Sequence, residues 1–340
     1  MKKIVIHCGI PYTNSQNLQA FLLKNRTYIR VNYEFDYIDL PSPESVTERV
    51  DGNADFLARA FLDLDHPKSL ADIATHYVDS VLARLSGPSN NIILSSDYFS
   101  DLSNEAFELL LKLLGRIGSI QLLYFIRNPF DLFDHMYAAE TIDRGNCLLP
   151  EEYFLKINDS FLKETNYIDR FSSLLDVVPK ACSLTLIPYE ITSEEKISSN
   201  QIFLQSIGIT KFQLQPLPWG KLNPSPILTK ICYELNKLSM PPSIVKQIIN
   251  DVDGGKLPKQ SLDSTYMPPQ IIKEIDGVLQ KANESFFEEF YNSENKYKMN
   301  KKSYIDMNTY PIGEARCLQI VGSAVRDLDR RIAKLEALNR

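Results

Sequence analysis

The sequence is poor in the residues that mark several common kinds of functional site. Its 340 residues include 5 cysteines, 4 histidines and 13 glycines. The cysteines are scattered without the spacing of a zinc site and the histidines are equally dispersed, so we expect no bound metal. Scattered cysteines of odd number are typical of reduced thiols, which leads us to expect a cytoplasmic protein.

The chain also lacks a basic excess and long apolar runs. Its formal net charge is -6 and its pI is near 5.4, which argues against a nucleic-acid-binding protein held by a broad basic face. No run of about 18 apolar residues is present, so we expect no membrane span. The apolar run that follows the basic N-terminus is too short for a signal sequence.

Short apolar runs alternate with helical patterns along most of the chain. This alternation predicts an α/β fold with a mainly parallel sheet flanked by helices. Strands are predicted at 3–8, 27–39, 90–100 and 182–191, helices at 15–25, 54–85, 104–118, 226–238, 243–251 and 268–291, and a strand that passes into a helix at Asn128–Pro129 over 119–140.

The C-terminal region differs from the rest. We predict one α/β domain over 1–295, a polar linker over 296–311 and a helix over 312–340. Apolar residues in that helix are spaced 3, 4, 3, 4, 3, which is a heptad seam: Leu318, Val321, Val325, Leu328, Ile332 and Leu335. Two interpretations stay open, a terminal helix packed on its own domain or a short coiled coil that makes a homo-oligomer through 318–338.

The first strand is followed by a loop and a helix start, a place that favours phosphate binding. The loop carries small, hydroxyl or amide side chains that can donate hydrogen bonds to phosphate oxygens or cap the helix: Gly9, Thr13, Asn14, Ser15 and Asn17. An ordinary helix-capping loop is the alternative. The loop lacks the second glycine and the lysine of a nucleoside-triphosphatase loop, so nucleoside-triphosphate hydrolysis is disfavoured.

The stretch HCGIPYTNSQNLQ, residues 7–19, resembles the opening motif of the sulfotransferases that use 3′-phosphoadenosine-5′-phosphosulfate, especially their bacterial carbohydrate-type branch. The family pattern is similar to H-I-G-x-x-K-T-G-T-T-S-L-Q. In this chain the family's lysine falls on Tyr12, its glycine on Asn14, and its two threonines on Ser15 and Gln16. The residues that match in register are His7, Gly9, Thr13, Leu18 and Gln19.

Later segments resemble the same family, and together the resemblance covers roughly residues 3–290. The stretch YFIRNPFDLFDHMY supplies the family's strand-end arginine as Arg127, and its serine position falls on His135. The stretch IILSSDYFS places Asp97 where family members often carry a glutamate that acts as the base. The segment LTLIPYE, within 184–190, is also similar to a family segment.

The resemblance implies a P-loop-type sulfotransferase fold, a sulfuryl donor of 3′-phosphoadenosine-5′-phosphosulfate, and a hydroxyl acceptor, most simply on a carbohydrate. It implies that Asp97 is the base, that Gly9 and residues 12–17 hold the 5′-phosphosulfate, and that Arg127 and His135 hold the 3′-phosphate. The alternatives are capping for Asp97, a surface ion pair or cap for Arg127, and aromatic packing for Tyr12.

The missing loop lysine leaves the function open among three hypotheses. Tyr12 cannot carry a positive charge, although its hydroxyl can donate one hydrogen bond, so His7 and His135 are the nearby candidates for a replacement cation. The first hypothesis is an active sulfotransferase. The second is a transferase with another nucleotide-linked donor, such as a nucleotide sugar. The third is a catalytically inactive scaffold.

Overall fold

A computed structural model describes most of the chain. The described residues are 2–10, 12–38, 40, 52–62, 69–87, 91–179, 182–189, 198–211, 226–241, 245, 264–291, 303–305, 307, 322, 326 and 330. They divide into two compact units. The first takes its residues from 1–128, 167–220 and 289–291, and the second from 129–166, 221–288 and 292–340.

A five-stranded parallel sheet forms the centre of the first unit. Its strands are β1 (Lys3–Cys8), β2 (Phe35–Asp36), β3 (Asn91–Ser96), β4 (Ser119–Ile126) and β5 (Cys182–Pro188). They lie in the order β2-β3-β1-β4-β5, and all the pairings are parallel. The predicted α/β fold with a mainly parallel sheet is therefore confirmed. The two strands that flank β1 are buried along with it, as expected for apolar runs covered on both faces.

Ten helices are described. They are α1 (Ser15–Tyr33), α2 (Asp55–Leu62), α3 (Ser69–Leu85), α4 (Asn104–Gly115), α5 (Pro129–Asp143), α6 (Pro150–Thr165), α7 (Tyr167–Val177), α8 (Ser199–Ser206), α9 (Pro226–Lys237) and α10 (Pro269–Tyr291). Local sequence explains several of their ends. Helix α4 begins after Ser103, whose hydroxyl accepts a hydrogen bond from the backbone N–H of Ala106 at 3.2 Å, and it ends at a glycine.

The core of the first unit joins helix α1 to the sheet. The apolar residues of α1 recur at helical spacing and pack against Val5, Ile93 and Phe125: they are Leu18, Phe21, Leu22 and Ile29. Because this face fixes the helix over the sheet, it also fixes the loop that joins β1 to α1.

The predicted strand region at 27–39 is wrong for most of its length. Helix α1 continues to Tyr33, and only Phe35 and Asp36 form a strand, paired with Asn91 and Ile92. Thr27, Ile29 and Val31 are β-branched and favour strands locally. The buried series that ends at Ile29 keeps the helical period, and its packing in the core outweighs that preference.

The second unit contains α5, α6, α9, most of α10 and a two-stranded parallel pair, β6 (Ser264–Thr265) and β7 (Ser303–Tyr304). Asp134 of α5 is buried and accepts hydrogen bonds from the Thr265 hydroxyl and the Tyr266 N–H, both at 2.8 Å. Buried aromatic rings of α5 and α6 pack together in this unit, including Phe133, Tyr137, Phe154 and Phe161.

Several predictions concern residues that lie mostly outside the described ranges. The predicted helix at 243–251 lies outside the described residues except for Val245, and the predicted helix at 312–340 does so except for Gly322, Arg326 and Arg330. Two residues of the predicted linker, 296–311, form β7. The domain boundaries, the coiled coil and homo-oligomerisation remain predictions. Among the described helices, none has the length and apolarity needed to cross a membrane.

Candidate functional site

Three strand ends meet at one edge of the sheet. Strand β1 lies between β3 and β4, with His7 in register with Ser95 on one side and Leu123 on the other. The chain leaves β1 to build one half of the sheet and then crosses to β4 on the opposite side. In open α/β sheets, the crevice at the carboxyl ends beside such a reversal is the usual ligand site.

The loop after β1 has an unusual backbone. Tyr12 and Asn14 have φ angles of 65° and 66°, in the left-handed region. Asparagine tolerates this region better than most residues, which suits Asn14 to its backbone conformation. The Thr13 N–H and hydroxyl both donate to the Ile10 carbonyl, at 3.2 and 2.6 Å, and stabilise the turn.

Gly9 allows two polar side chains to approach the end of β1. A Cβ at this position would lie 2.0 Å from Asp97 Oδ1 and 2.5 Å from Ser15 Oγ. These distances are far inside van der Waals contact, so any larger residue must displace the carboxylate or the hydroxyl. The Asp97 carboxylate therefore lies directly beside the loop.

Asp97 follows β3 and precedes a single 3-10 turn over Tyr98–Asp101. It occupies the capping position of that turn, but its side chain makes no capping hydrogen bond. Gln19 Nε2 lies 3.4 Å from Asp97 Oδ1, in hydrogen-bonding range. The half-buried carboxylate is thus oriented toward the start of α1, and the cap of α4 is provided by Ser103 instead.

Arg127 follows β4 and reaches the same loop from the other side. Its side chain donates from Nη1 to the Tyr12 carbonyl at 2.8 Å, and its guanidinium carbon lies 5.0 Å from the centre of the Tyr189 ring. The Tyr167 hydroxyl donates to the Arg127 carbonyl at 2.7 Å. Arg127 is only 6% exposed, so it is a buried cation held by the loop rather than a surface ion-pair residue.

His7 lies in the core beneath the loop. Its Nδ1 is 2.8 Å from Ser95 Oγ, and its ring meets Phe125 and Phe203 edge-on with centroids 5.9 Å apart in each case. Complete burial lowers the pKa of His7 to about 3. The ring is therefore neutral near pH 7 and does not provide the positive charge that the loop lacks.

The other predicted phosphate-binding residues differ in accessibility. Gly9, Thr13 and Ser15 are buried, Tyr12, Asn14 and Asn17 are half-buried, and Gln16 is exposed. His135 lies on α5 in the second unit and is half-buried. A shared phosphate between Arg127 and His135 remains a prediction.

Two residues near the loop were not assigned a role from the sequence, although Tyr189 lies in the segment LTLIPYE. Asn200 of α8 is buried, and its Nδ2 donates to Asn17 Oδ1 at 3.2 Å. Tyr189 packs its ring against the Arg127 guanidinium. Both come from distant parts of the chain, and their residue types carry no chemical signal by themselves. No group of three or more His, Cys, Asp or Glu side chains is arranged to hold a metal ion in the described ranges.

Comparisons with known proteins found only weak similarities to this chain. No protein-family model matches the sequence, and no curated protein matches it. A sulfotransferase from Alicyclobacillus acidocaldarius is similar in structure with a TM-score of 0.40 and 13% identity, over 73% of this chain and 96% of that one.

A second solved structure, from the PezAT chromosomal toxin–antitoxin system of Streptococcus pneumoniae, has a TM-score of 0.27 and 12% identity, over 70% of this chain and 85% of that one. Both TM-scores are low, and we draw no inference about this chain from either protein.

Proposed function

We propose that the protein transfers a sulfuryl group from 3′-phosphoadenosine-5′-phosphosulfate to a hydroxyl group, most simply of a carbohydrate. The observation that carries the proposal is the pair of charges on either side of the loop. The Asp97 carboxylate adjoins Gly9, and the Arg127 guanidinium holds the Tyr12 carbonyl.

In the proposed complex, the start of α1 and the loop hold the phosphosulfate. The accessible side chains there are Tyr12, Asn14, Gln16 and Asn17, while buried Thr13 and Ser15 stabilise the loop. A guanidinium has five N–H donors, so Arg127 can bind a ligand phosphate while it keeps its bond to the Tyr12 carbonyl. Arg127 would then supply the positive charge that the family obtains from its loop lysine.

The proposed reaction uses Asp97 as the base. The acceptor oxygen attacks the sulfur, its proton moves to the Asp97 carboxylate, and the bond between sulfur and the bridging phosphate oxygen breaks. The electron pair of that bond leaves with adenosine 3′,5′-bisphosphate. Gln19 orients the carboxylate through its contact with Oδ1. Loss of one charge-stabilising group typically slows such a step by about 10²–10³, so turnover is expected to depend strongly on Arg127.

A scaffold without catalytic activity is the second candidate. The observation that favours it is the burial of Arg127, whose contacts with Tyr12 and Tyr189 can serve loop stability alone. On this hypothesis no nucleotide binds at the loop, and the residues that resemble the family's motif serve only to stabilise the fold.

Calorimetric titration with adenosine 3′,5′-bisphosphate separates the two candidates. We expect micromolar affinity that Arg127→Ala abolishes and that Arg116→Ala, at an exposed arginine after α4, leaves unchanged. Absence of binding by the unaltered protein would overturn the proposal. A signal with a nucleotide sugar in a parallel titration would instead identify a different donor.

Replacement of the base provides the matched catalytic test. We expect Asp97→Asn to lower turnover by about 10²–10⁴ while affinity for the bisphosphate is kept. Asp101→Asn, at an exposed carboxylate four residues away, is the control. Equal turnover in the two variants would remove Asp97 from the mechanism.

A further inference from the structure

A cavity of about 260 Å³ lies in the first unit at a distance from the loop. Its lining includes Arg26, Thr27 and Arg30 of α1, Asp36 and Tyr37 at and after β2, and Arg84 of α3. The cavity is therefore assembled from three parts of the chain that the fold brings together.

Positive charge is concentrated at this cavity. The described residues that line it carry three guanidinium groups and one carboxylate, in a chain whose formal net charge is -6. All three arginines are exposed. Arg26 and Arg30 are four residues apart and so lie on the same face of α1, where like charges repel.

Helix dipoles explain only part of this arrangement. Arg30 and Arg84 lie in the last turns of α1 and α3, where a cation is favourable. Arg26 lies one turn earlier, and the dipole does not explain why arginines from two helices line one cavity. One anion in the cavity would contact guanidinium groups of both helices.

We propose that this cavity binds a compact small molecule that carries a sulfate or phosphate ester. The planar guanidinium fork matches the oxygens of such groups, and several N–H donors per arginine remain available for a ligand even where one has a protein partner. The volume lies just below the range of about 300–1,000 Å³ that is usual for drug-sized ligands, which favours a compact molecule such as a monosaccharide ester.

The cavity is distinct from the loop site. Arg26 and Arg30 follow Ser15, the first residue of α1, by 11 and 15 positions. At about 1.5 Å per residue, they lie roughly 16 and 22 Å along the helix from its start. One small anion cannot contact both places, so this inference does not rest on the proposed transferase activity.

Calorimetric titration of the full chain at low salt tests the inference, with glucose 6-phosphate, glucose 6-sulfate and glucose as probes. We expect saturable 1:1 binding of at least one ester and none of glucose. Arg30→Ala and Arg84→Ala should each weaken binding about tenfold or more. Lys24→Ala, which removes an exposed cation of α1 outside the cavity, is the matched control.

Each outcome of the titrations either supports or contradicts the proposed anion site. Sulfate and phosphate esters share oxyanion chemistry, so tighter binding of one of the two probes would show which ester the cavity prefers. Arg30→Lys, which keeps the charge but not the fork, should bind more weakly than the unaltered protein. Absence of saturable binding up to about 10 mM, or equal loss in Lys24→Ala and Arg30→Ala, would overturn the inference. Loss of ester binding in Arg127→Ala, in a sample whose circular dichroism shows that it is folded, would show instead that the anion binds at the loop.

Discussion

The two arginine sites of the first unit differ in the burial of their side chains. Arg127 is 6% exposed, donates to a backbone carbonyl and packs on an aromatic ring. Arg26, Arg30 and Arg84 are exposed and line a cavity together. One site holds a single cation inside the fold, and the other gathers several at the surface.

The degree of burial indicates which of these arginines stabilise the fold. A buried cation without partners is costly, so the contacts of Arg127 are part of the stability of the loop. Contacts of exposed charges add little to stability, so the proposed role of the exposed arginines is to bind a ligand. Substitutions at the first site should therefore lower stability as well as affect any bound ligand, whereas substitutions at the second should affect ligand binding with little change in stability.

The largest effect is expected at Arg127. Arg127→Ala removes a charge-assisted hydrogen bond to the Tyr12 carbonyl and a cation–π contact with Tyr189. These interactions together correspond to about 2–4 kcal/mol of unfolding free energy. Urea denaturation measures this value, with Arg116→Ala as the control. A loss as small as that of the control would mean that the contacts do not stabilise the loop.

The next effect is expected at Gly9. Gly9→Ala places a Cβ against Asp97 and Ser15, and we expect a loss of about 1–3 kcal/mol together with displacement of the Asp97 carboxylate. Gly115→Ala is the matched control, because a Cβ there meets no atom within 4 Å. Thermal unfolding of the two variants compares them. Unchanged stability of Gly9→Ala would show that the loop relaxes without cost.

A smaller effect depends on pH and concerns His7. Burial lowers its pKa to about 3, below the value near 6.5 in the unfolded chain. The unfolded state therefore binds the proton first, and the contribution to stability is complete above pH 6.5 and is lost as the pH falls toward 3. We expect about 1.5 kcal/mol to be lost between pH 6.5 and 5 through this group.

His7→Gln isolates that contribution, since glutamine keeps a polar partner for Ser95 and does not titrate. Urea denaturation at several pH values should show a shallower decline for the variant than for the unaltered protein. Parallel declines would mean that the pKa of His7 is the same in the folded and unfolded states, so that burial does not keep the ring neutral at pH 5.

The smallest effect on stability is expected at the cavity. Without ligand, Arg30→Ala should change the free energy of unfolding by no more than about 0.5 kcal/mol, because Arg30 is exposed and the contacts of exposed charges contribute little to stability. Denaturation with and without glucose 6-phosphate checks this. A large loss of unfolding free energy without ligand would show that Arg30 stabilises the fold, as Arg127 is expected to do.

Much of the fold could be predicted from the sequence. The apolar run at 3–8 is β1, and the strand-to-helix change at Asn128–Pro129 falls between β4 and α5. Helices α6, α7 and α8 were not predicted, and the predicted end of α1 was too early. In α1 the β-branched residues conflict with the helical period, and only burial against the sheet resolves that conflict.

The candidate site was predictable in part. Pattern and order placed Gly9, Asp97 and Arg127 at strand ends, and three adjacent parallel strands bring such ends to one edge. The sequence could not predict that Arg127 bonds to the carbonyl of Tyr12, 115 residues away, or that the His7 ring is neutral. Its assignment as a nearby cation followed from sequence position alone.

The parallel α/β architecture follows from the sequence, because strand and helix periods are local and the order of elements restricts their connections. Which charges are buried, and which lie close to one another, depends on how the elements pack. The cavity of Arg26, Arg30 and Arg84 exists because α1 and α3 converge near β2, and no local pattern records that convergence. Burial and charge proximity depend on the whole packed chain, and so does the chemistry that follows from them.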